Sequence, residues 1–386
     1  MSKKRLCFFC ERWASGGIEA FIHMAATQWD LSRWEIDVVT ARLEDSVFTA
    51  SLRQLGIGFY ELSGDLKKLW CNHRRFRQLL RERRYDVVHL HIYHGLTLCY
   101  AHMARQEGVP VRIAHSHNTA LRRSRTRWLK LWLHSWSRFC FAKEATHLLA
   151  CSSEAADFAF GSFLKGKKEV VFVPNGIDTQ RFRLVLEQRQ KVRADLGLKD
   201  HFVIGNVGRM CPQKNQSFLL EVFAHVVQAY PNSRLLLVGE GEERDHLKAQ
   251  VEQRKLGEYV IFCGVSSQVE TLLWAMDLFV LPSRFEGLPV SVVEAQAAGV
   301  PVLCSDAVSK RAKVTDLVQF LSLQAGANVW AEKILAMREE IQGDGGRLEK
   351  RSDRADQVRA AGFDKSAVVR QMEQIYEEGN PTDAAT

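Results

Sequence analysis

Short apolar runs recur along the chain, each closed by a turn former or a charged residue before a stretch of helical period begins. In the first half they fall at residues 6–9, 36–40, 87–91, 111–115, 148–151 and 170–173, with helical patterns such as 19–28 and 76–83 between them. The second half repeats the arrangement at 203–207, 235–238, 260–263, 278–281 and 300–304. Runs that are apolar throughout, without alternation, predict strands buried on both faces. Strands that alternate with helices predict parallel sheets covered on both sides, so the fold class is α/β, in two doubly wound halves. Ligands of such sheets gather at the carboxyl ends of the strands.

Several chemically suggestive stretches fall at those ends. After the run 277–281 comes a loop with Glu286, Gly287 and Leu288, and Pro289 suits a first helical position with its preset φ and missing N–H. Glu294 then lies in the second turn, roughly 7–8 Å of rise beyond Pro289. The two carboxylates are too far apart to share a proton or a small ion, but each can accept hydrogen bonds from a different sugar ring. The helix start between them suits an anion. After the run 203–207, Arg209 and Lys214 flank a second helix start, with Asn215 as its predicted N-cap. Two cations aimed at one corner are what a departing diphosphate needs. Gly239-Glu240-Gly241 follows the next strand, but it lacks a third glycine and is acidic. Past the first strand, Ser15-Gly16-Gly17 opens a helix and lets a backbone approach a ligand without Cβ interference.

Two histidine-bearing strands complete the set, with His89, His91 and His94 near the end of one and His115 and His117 at the end of the other. A strand-end histidine can bond a sugar hydroxyl or balance a phosphate. Zinc is the other reading of such a set of histidines, but no tight ligand spacing joins the two strands, and no metal is expected. Cys7-x-x-Cys10 lies inside a predicted strand with no second ligand pair, so neither metal nor redox chemistry is expected there.

On these residues the chain resembles the retaining glycosyltransferases of family 4. The signature of that family is two glutamates separated by seven residues in an E-G-x-P context, here Glu286-Gly287-Leu288-Pro289 with Glu294. The resemblance spans about residues 3–305 and implies a GT-B fold, two Rossmann-like domains facing across a cleft. It implies donor-sugar contact by Glu286 and ribose contact by Glu294. The Arg209–Lys214 pair would clamp the diphosphate, with Gly287 at the helix start, and the Gly16-Gly17 loop would face it. Gly264 and Val265 would line the base, and His115 or His117 would stand near the donor sugar. The Pro174-Asn175-Gly176-Ile177-Asp178 turn is similar to the family's passage between domains. That implies an acceptor-side domain at 1–180, a donor domain at 181–364, and at 365–386 a helix crossing back to the first domain before a frayed tail. Residues 179–200 read as linker. After Asp306 the chain departs from the glycine-rich turn of many members and is similar to the capsular and exopolysaccharide subgroup. The implied reaction is metal-independent transfer of a hexose from a nucleotide-sugar, UDP-linked, to a lipid-linked saccharide, with retention and with no cofactor. A same-fold epimerase or phosphorylase and a non-catalytic membrane protein are the alternatives.

Composition changes this picture little, and charge changes it more. The chain of 386 residues suits two domains, and its nine scattered cysteines predict reduced thiols in a cytoplasmic protein. The first apolar run ends too soon, at Glu11-Arg12, for a secretory segment. The net charge of +8 is concentrated. Residues 121–143 carry seven cations and no acid, with Trp128, Trp132 and Trp136 at helical spacing, and residues 67–84 hold a second basic stretch. Tryptophans on a basic helix suit an anionic bilayer surface, which predicts a peripheral protein on the inner face of the plasma membrane. The plain alternative is core tryptophans beside solvated arginines. No nucleic-acid motif accompanies the charge, and nucleic acid is not an expected partner.

Overall fold

The computed structural model describes residues 3–118, 127–165, 169–343 and 354–379. The chain divides into two units, one made of Met1–Gly176 with Lys365–Thr386 and the other of Ile177–Asp364.

The first unit is built on seven strands: β1 Lys4–Trp13, β2 Trp34–Leu43, β3 Gly58–Glu61, β4 Val87–Ile92, β5 Val111–Ser116, β6 His147–Ala150 and β7 Val170–Phe172. All pair in parallel, in the order β3-β2-β1-β4-β5-β6-β7. Alternate residues of β1 feed opposite layers. Leu6, Phe8 and Cys10 join one core, and Cys7 and Phe9 join the other with Phe76 and Tyr100. The helix Lys365–Glu377 closes the first of these cores with Val368, Val369, Met372, Ile375 and Tyr376. Burying five such side chains contributes on the order of 10 kcal/mol. The Tyr376 ring stacks on Trp29 at 5.2 Å.

The second unit carries β8 Phe202–Val207, β9 Ser233–Val238, β10 Val260–Gly264, β11 Leu278–Leu281, β12 Val302–Ser305 and β13 Val318–Leu321. These are again parallel, in the order β10-β9-β8-β11-β12-β13. Strand order reverses between β1 and β4 in one sheet and between β8 and β11 in the other. At such a switch the loops leaving neighbouring strands diverge and open a crevice. The two edge strands β3 and β13 are additions to the sequence reading, because neither carries an uninterrupted apolar run.

The supposed linker at 179–200 is instead part of the second unit. It forms helices Thr179–Phe182 and Leu186–Asp195, and in the latter Arg189 and Arg193 are buried. Asp277 explains why two arginines are tolerated there. Its carboxylate meets Arg189 at 2.6 Å and Arg193 at 3.0 Å, while carbonyls of Trp274, Ala275, Met276, Lys199 and His201 accept from the two guanidinium groups as well. Charge in the sequence therefore signalled a buried network. Among the described residues, no helix is long and apolar enough to cross a membrane.

Candidate active site

Adjacency of β8 and β11 sets the loop 208–215 beside the loop 282–289, although some seventy residues separate them in sequence. Backbone and amide groups stitch the two together. Arg284 N–H donates to the Gln213 carbonyl at 2.8 Å, Gln213 Nε2 donates to the Phe285 carbonyl at 3.1 Å, and Asn215 Nδ2 donates to the Pro282 carbonyl at 3.1 Å. Asn215 is not the side-chain cap that its position suggests. Its backbone is left-handed, at φ 59°, which turns the amide away from the helix Gln216–Ala229 and toward Pro282 and Arg284. Likewise the helix after β11 begins at Val290, and Pro289 is the residue before it, with extended ψ.

The stitched loops bring Lys214 and Glu286 together at 2.6 Å, each largely withdrawn from solvent. Ser283 Oγ donates to the same Glu286 oxygen at 3.3 Å. Glu286 is itself clipped to the segment after β12, donating its N–H to Ala307 and accepting from Ser309 N–H. This contact of the two residues was invisible in the sequence, which assigned each to a different part of the ligand. Arg209 stands apart on the exposed side, 2.8 Å from Glu242. Gly287, Leu288 and Pro289 are all buried.

Glu294 lies on the helix Val290–Ala297, and burial pushes its carboxyl from an ordinary 4.5 up to about 7. The Arg181 guanidinium opposes that rise and the Glu270 carboxylate reinforces it. Arg181 and Glu270 pair at 2.8 Å. Sequence reading missed this arginine because it lay in the supposed linker. The Gly239-Glu240-Gly241 loop has a packing explanation. A Cβ on Gly239 would stand 2.2 Å from the Gly208 carbonyl oxygen, and one on Gly241 2.2 Å from that of Met210. These glycines seat one loop on another. Gly264 adopts φ 66° at the end of β10, and Val265 beside it is 72% exposed.

In the first unit the Gly-Gly loop divides by role. A Cβ on Gly16 would stand 2.6 Å from Glu19 Oε2, so that glycine accommodates its own helix's carboxylate, whereas nothing lies within 4 Å of the Cβ position of Gly17. Glu19 also accepts from Ala14 N–H at 3.2 Å, and burial raises its carboxyl. The histidines are more engaged than their sequence suggests. His117 uses both ring nitrogens, Nδ1 with Asn175 at 3.1 Å and Nε2 with His91 at 2.9 Å. His115 is fully buried, with Nδ1 3.1 Å from His89. Neither ring holds out a free, exposed nitrogen, because neighbouring parallel strands face their histidines into one cluster.

Trp128, Trp132 and Trp136 lie on the helix Arg127–Phe141 and are 72%, 60% and 46% exposed, so they are not core. The opposite face of that helix is the seated one. His134 Nδ1 accepts from Gly95 N–H at 2.8 Å, and Ser137 Oγ donates to the Gly95 carbonyl at 2.7 Å. The cations at 122, 123 and 125 lie outside the described residues. The second basic stretch is partly neutralised, with Arg81 on Glu107 and Arg83 on Glu35 and Asp37.

Comparison with known proteins gives this geometry a family. Residues 15–181 match the model of Glycosyltransferase Family 4, and residues 188–340 that of Glycosyl transferases group 1. The putative glycosyltransferase EpsF of Bacillus subtilis is 32% identical over 86% of this chain and 87% of its own. An Escherichia coli UDP-Gal:alpha-D-GlcNAc-diphosphoundecaprenol alpha-1,3-galactosyltransferase is 30% identical over 59% of this chain and 60% of its own. In fold, the chain is similar to Anabaena HepE, crystallised with UDP-glucose, at TM-score 0.75 and 20% identity, over 97% of this chain and 99% of that one. Two parallel Rossmann-like sheets, the paired glutamates and these relatives together make the chain a member of glycosyltransferase family 4, with the GT-B fold.

Proposed function

We propose that this protein transfers a hexose from a UDP-sugar to a lipid-linked saccharide during assembly of a bacterial surface polysaccharide, with retention of configuration and without a metal at the diphosphate. The observation that carries this reading is the Lys214–Glu286 pair at the β8–β11 switch point, with Arg209 on the same loop as Lys214. The two side chains satisfy each other. A nucleotide-sugar replaces both halves of that contact: the diphosphate takes the ammonium, and sugar hydroxyls take the carboxylate. Arg209 and Lys214 then stabilise the charge that builds on the leaving diphosphate. Glu294 accepts from the ribose hydroxyls, and the acceptor hydroxyl attacks on the face of the departing phosphate, which receives its proton. The Escherichia coli relative's UDP-galactose donor and diphosphoundecaprenol acceptor, and the UDP-glucose bound by HepE, support the choice of nucleotide and of acceptor class. The exposed tryptophans of the helix Arg127–Phe141 support action at an anionic membrane surface.

Calorimetric titration with UDP, GDP and ADP, with and without magnesium, tests the donor half. UDP is expected to bind selectively, equally well with and without the ion, and to bind Glu294→Ala more weakly. A folded sample that binds none of the three refutes the proposal.

A further inference from the structure

No tight ligand spacing joins the two histidine strands in sequence, but the sheet brings them side by side. β4 and β5 are direct neighbours with His91 opposite His115 in register. His89, His91 and His115 are all fully buried, and one ring nitrogen from each lies within 4.8 Å of the others. We propose that these three imidazoles form a structural site for a zinc-class transition metal inside the first unit, separate from the donor chemistry above.

Outer hydrogen bonds support the assignment. A metal-bound imidazole typically passes its second N–H to an acceptor that fixes its orientation. His89 Nδ1 meets the Tyr376 hydroxyl, and His91 Nδ1 meets His117 Nε2, whose own Nδ1 donates to Asn175 Oδ1. That chain fixes the tautomers. Asn175 Oδ1 can only accept, so His117 carries its proton on Nδ1 and takes one from His91 Nδ1, which leaves a lone pair on His91 Nε2. His91 Nε2 is buried and has no hydrogen-bond partner. His89 Nε2 lies 3.1 Å from His115 Nδ1, close to the spacing of about 3.4 Å between two nitrogens held at about 2.0–2.1 Å around one tetrahedral ion. The third nitrogen, within 4.8 Å of the other two, has roughly 1.4 Å or less to close to reach that spacing. A donor set of neutral nitrogen suits zinc, cobalt, nickel or copper and rejects calcium and magnesium, which want oxygen.

The test uses the untagged full-length protein. Elemental analysis of the purified protein is expected to find about one equivalent of such a metal per chain. After chelation, cobalt(II) added to the unmodified chain is expected to produce the visible band of a tetrahedral nitrogen site, saturating at one equivalent. Tyr376→Phe should weaken cobalt binding about 10–100-fold. His91→Gln should abolish the band, while His246→Gln, an exposed residue of the second unit, leaves it unchanged. A band on the unmodified chain supports the site even where the purified protein carries no metal. Absence of both metal and band in a folded sample overturns it, and so does a band that survives His91→Gln; either result leaves a hydrogen-bonded imidazole cluster only.

Discussion

Replacing Glu294 with glutamine isolates the cost of charge at a partly buried carboxyl. In the folded protein burial holds this group's proton to about pH 7, against 4.5 ordinarily. At about 1.4 kcal/mol for each tenfold, that difference is worth about 3 kcal/mol. The folded state binds the proton more tightly, so the group's contribution to stability is whole below pH 4.5 and is lost as pH rises through 7. Glutamine keeps the shape and never ionises. Glu294→Gln should therefore match the parent at pH 4.5 and exceed it by up to about 3 kcal/mol at pH 8, an increase in Tm of roughly 6–12 °C for the second unit. Urea unfolding of both proteins at half-unit pH steps reads this directly. A stability difference that does not change between pH 5 and 8 refutes the reasoning, because only ionisation distinguishes the two side chains.

Lys214→Met leaves the Glu286 carboxylate partly buried and unpaired, and should cost about 1–3 kcal/mol of stability along with most UDP affinity; Lys214→Arg should recover the stability first, as measured by denaturation and calorimetry on the same samples. Arg209 pairs with Glu242 in solvent, so Arg209→Ala should change stability by less than about 0.5 kcal/mol while weakening UDP binding at least about tenfold. The double substitution Trp128→Ala/Trp132→Ala should leave thermal unfolding unchanged and sharply reduce sedimentation with phosphatidylglycerol vesicles; a reduced Tm with unaltered vesicle binding contradicts a membrane-facing helix.

The apolar runs made most of the strands readable, since β1, β9 and β11 each present an uninterrupted stretch that suits a parallel strand buried on both faces. Edge strands escaped for the converse reason. Gly58-Phe59-Tyr60-Glu61 is half-buried throughout apart from its exposed last residue, so it carries no run to detect. In the candidate site, residue types and their loops were legible because each motif is contiguous. Pairings between motifs were not. Nothing local joins Lys214 to Glu286, or His91 to His117; those contacts follow from which strands are neighbours. Residues 179–200 were misread as linker because charge alone does not reveal that Arg189 and Arg193 share a partner, Asp277, more than eighty residues away.

The helix Lys365–Glu377 gives this architecture a temporal consequence. On the ribosome, a nascent chain that has reached Asp364 contains every residue of the second unit, and that unit can complete its core. The first unit, begun earlier, still lacks Val368, Met372 and Tyr376, the side chains that cover Phe8, Trp29 and Trp34. The half synthesised first is thus the half that matures last. A stop just after Asp364 would spare the second unit and leave the first with its tryptophans uncovered, so the loss of this one helix is felt in the half that was made first.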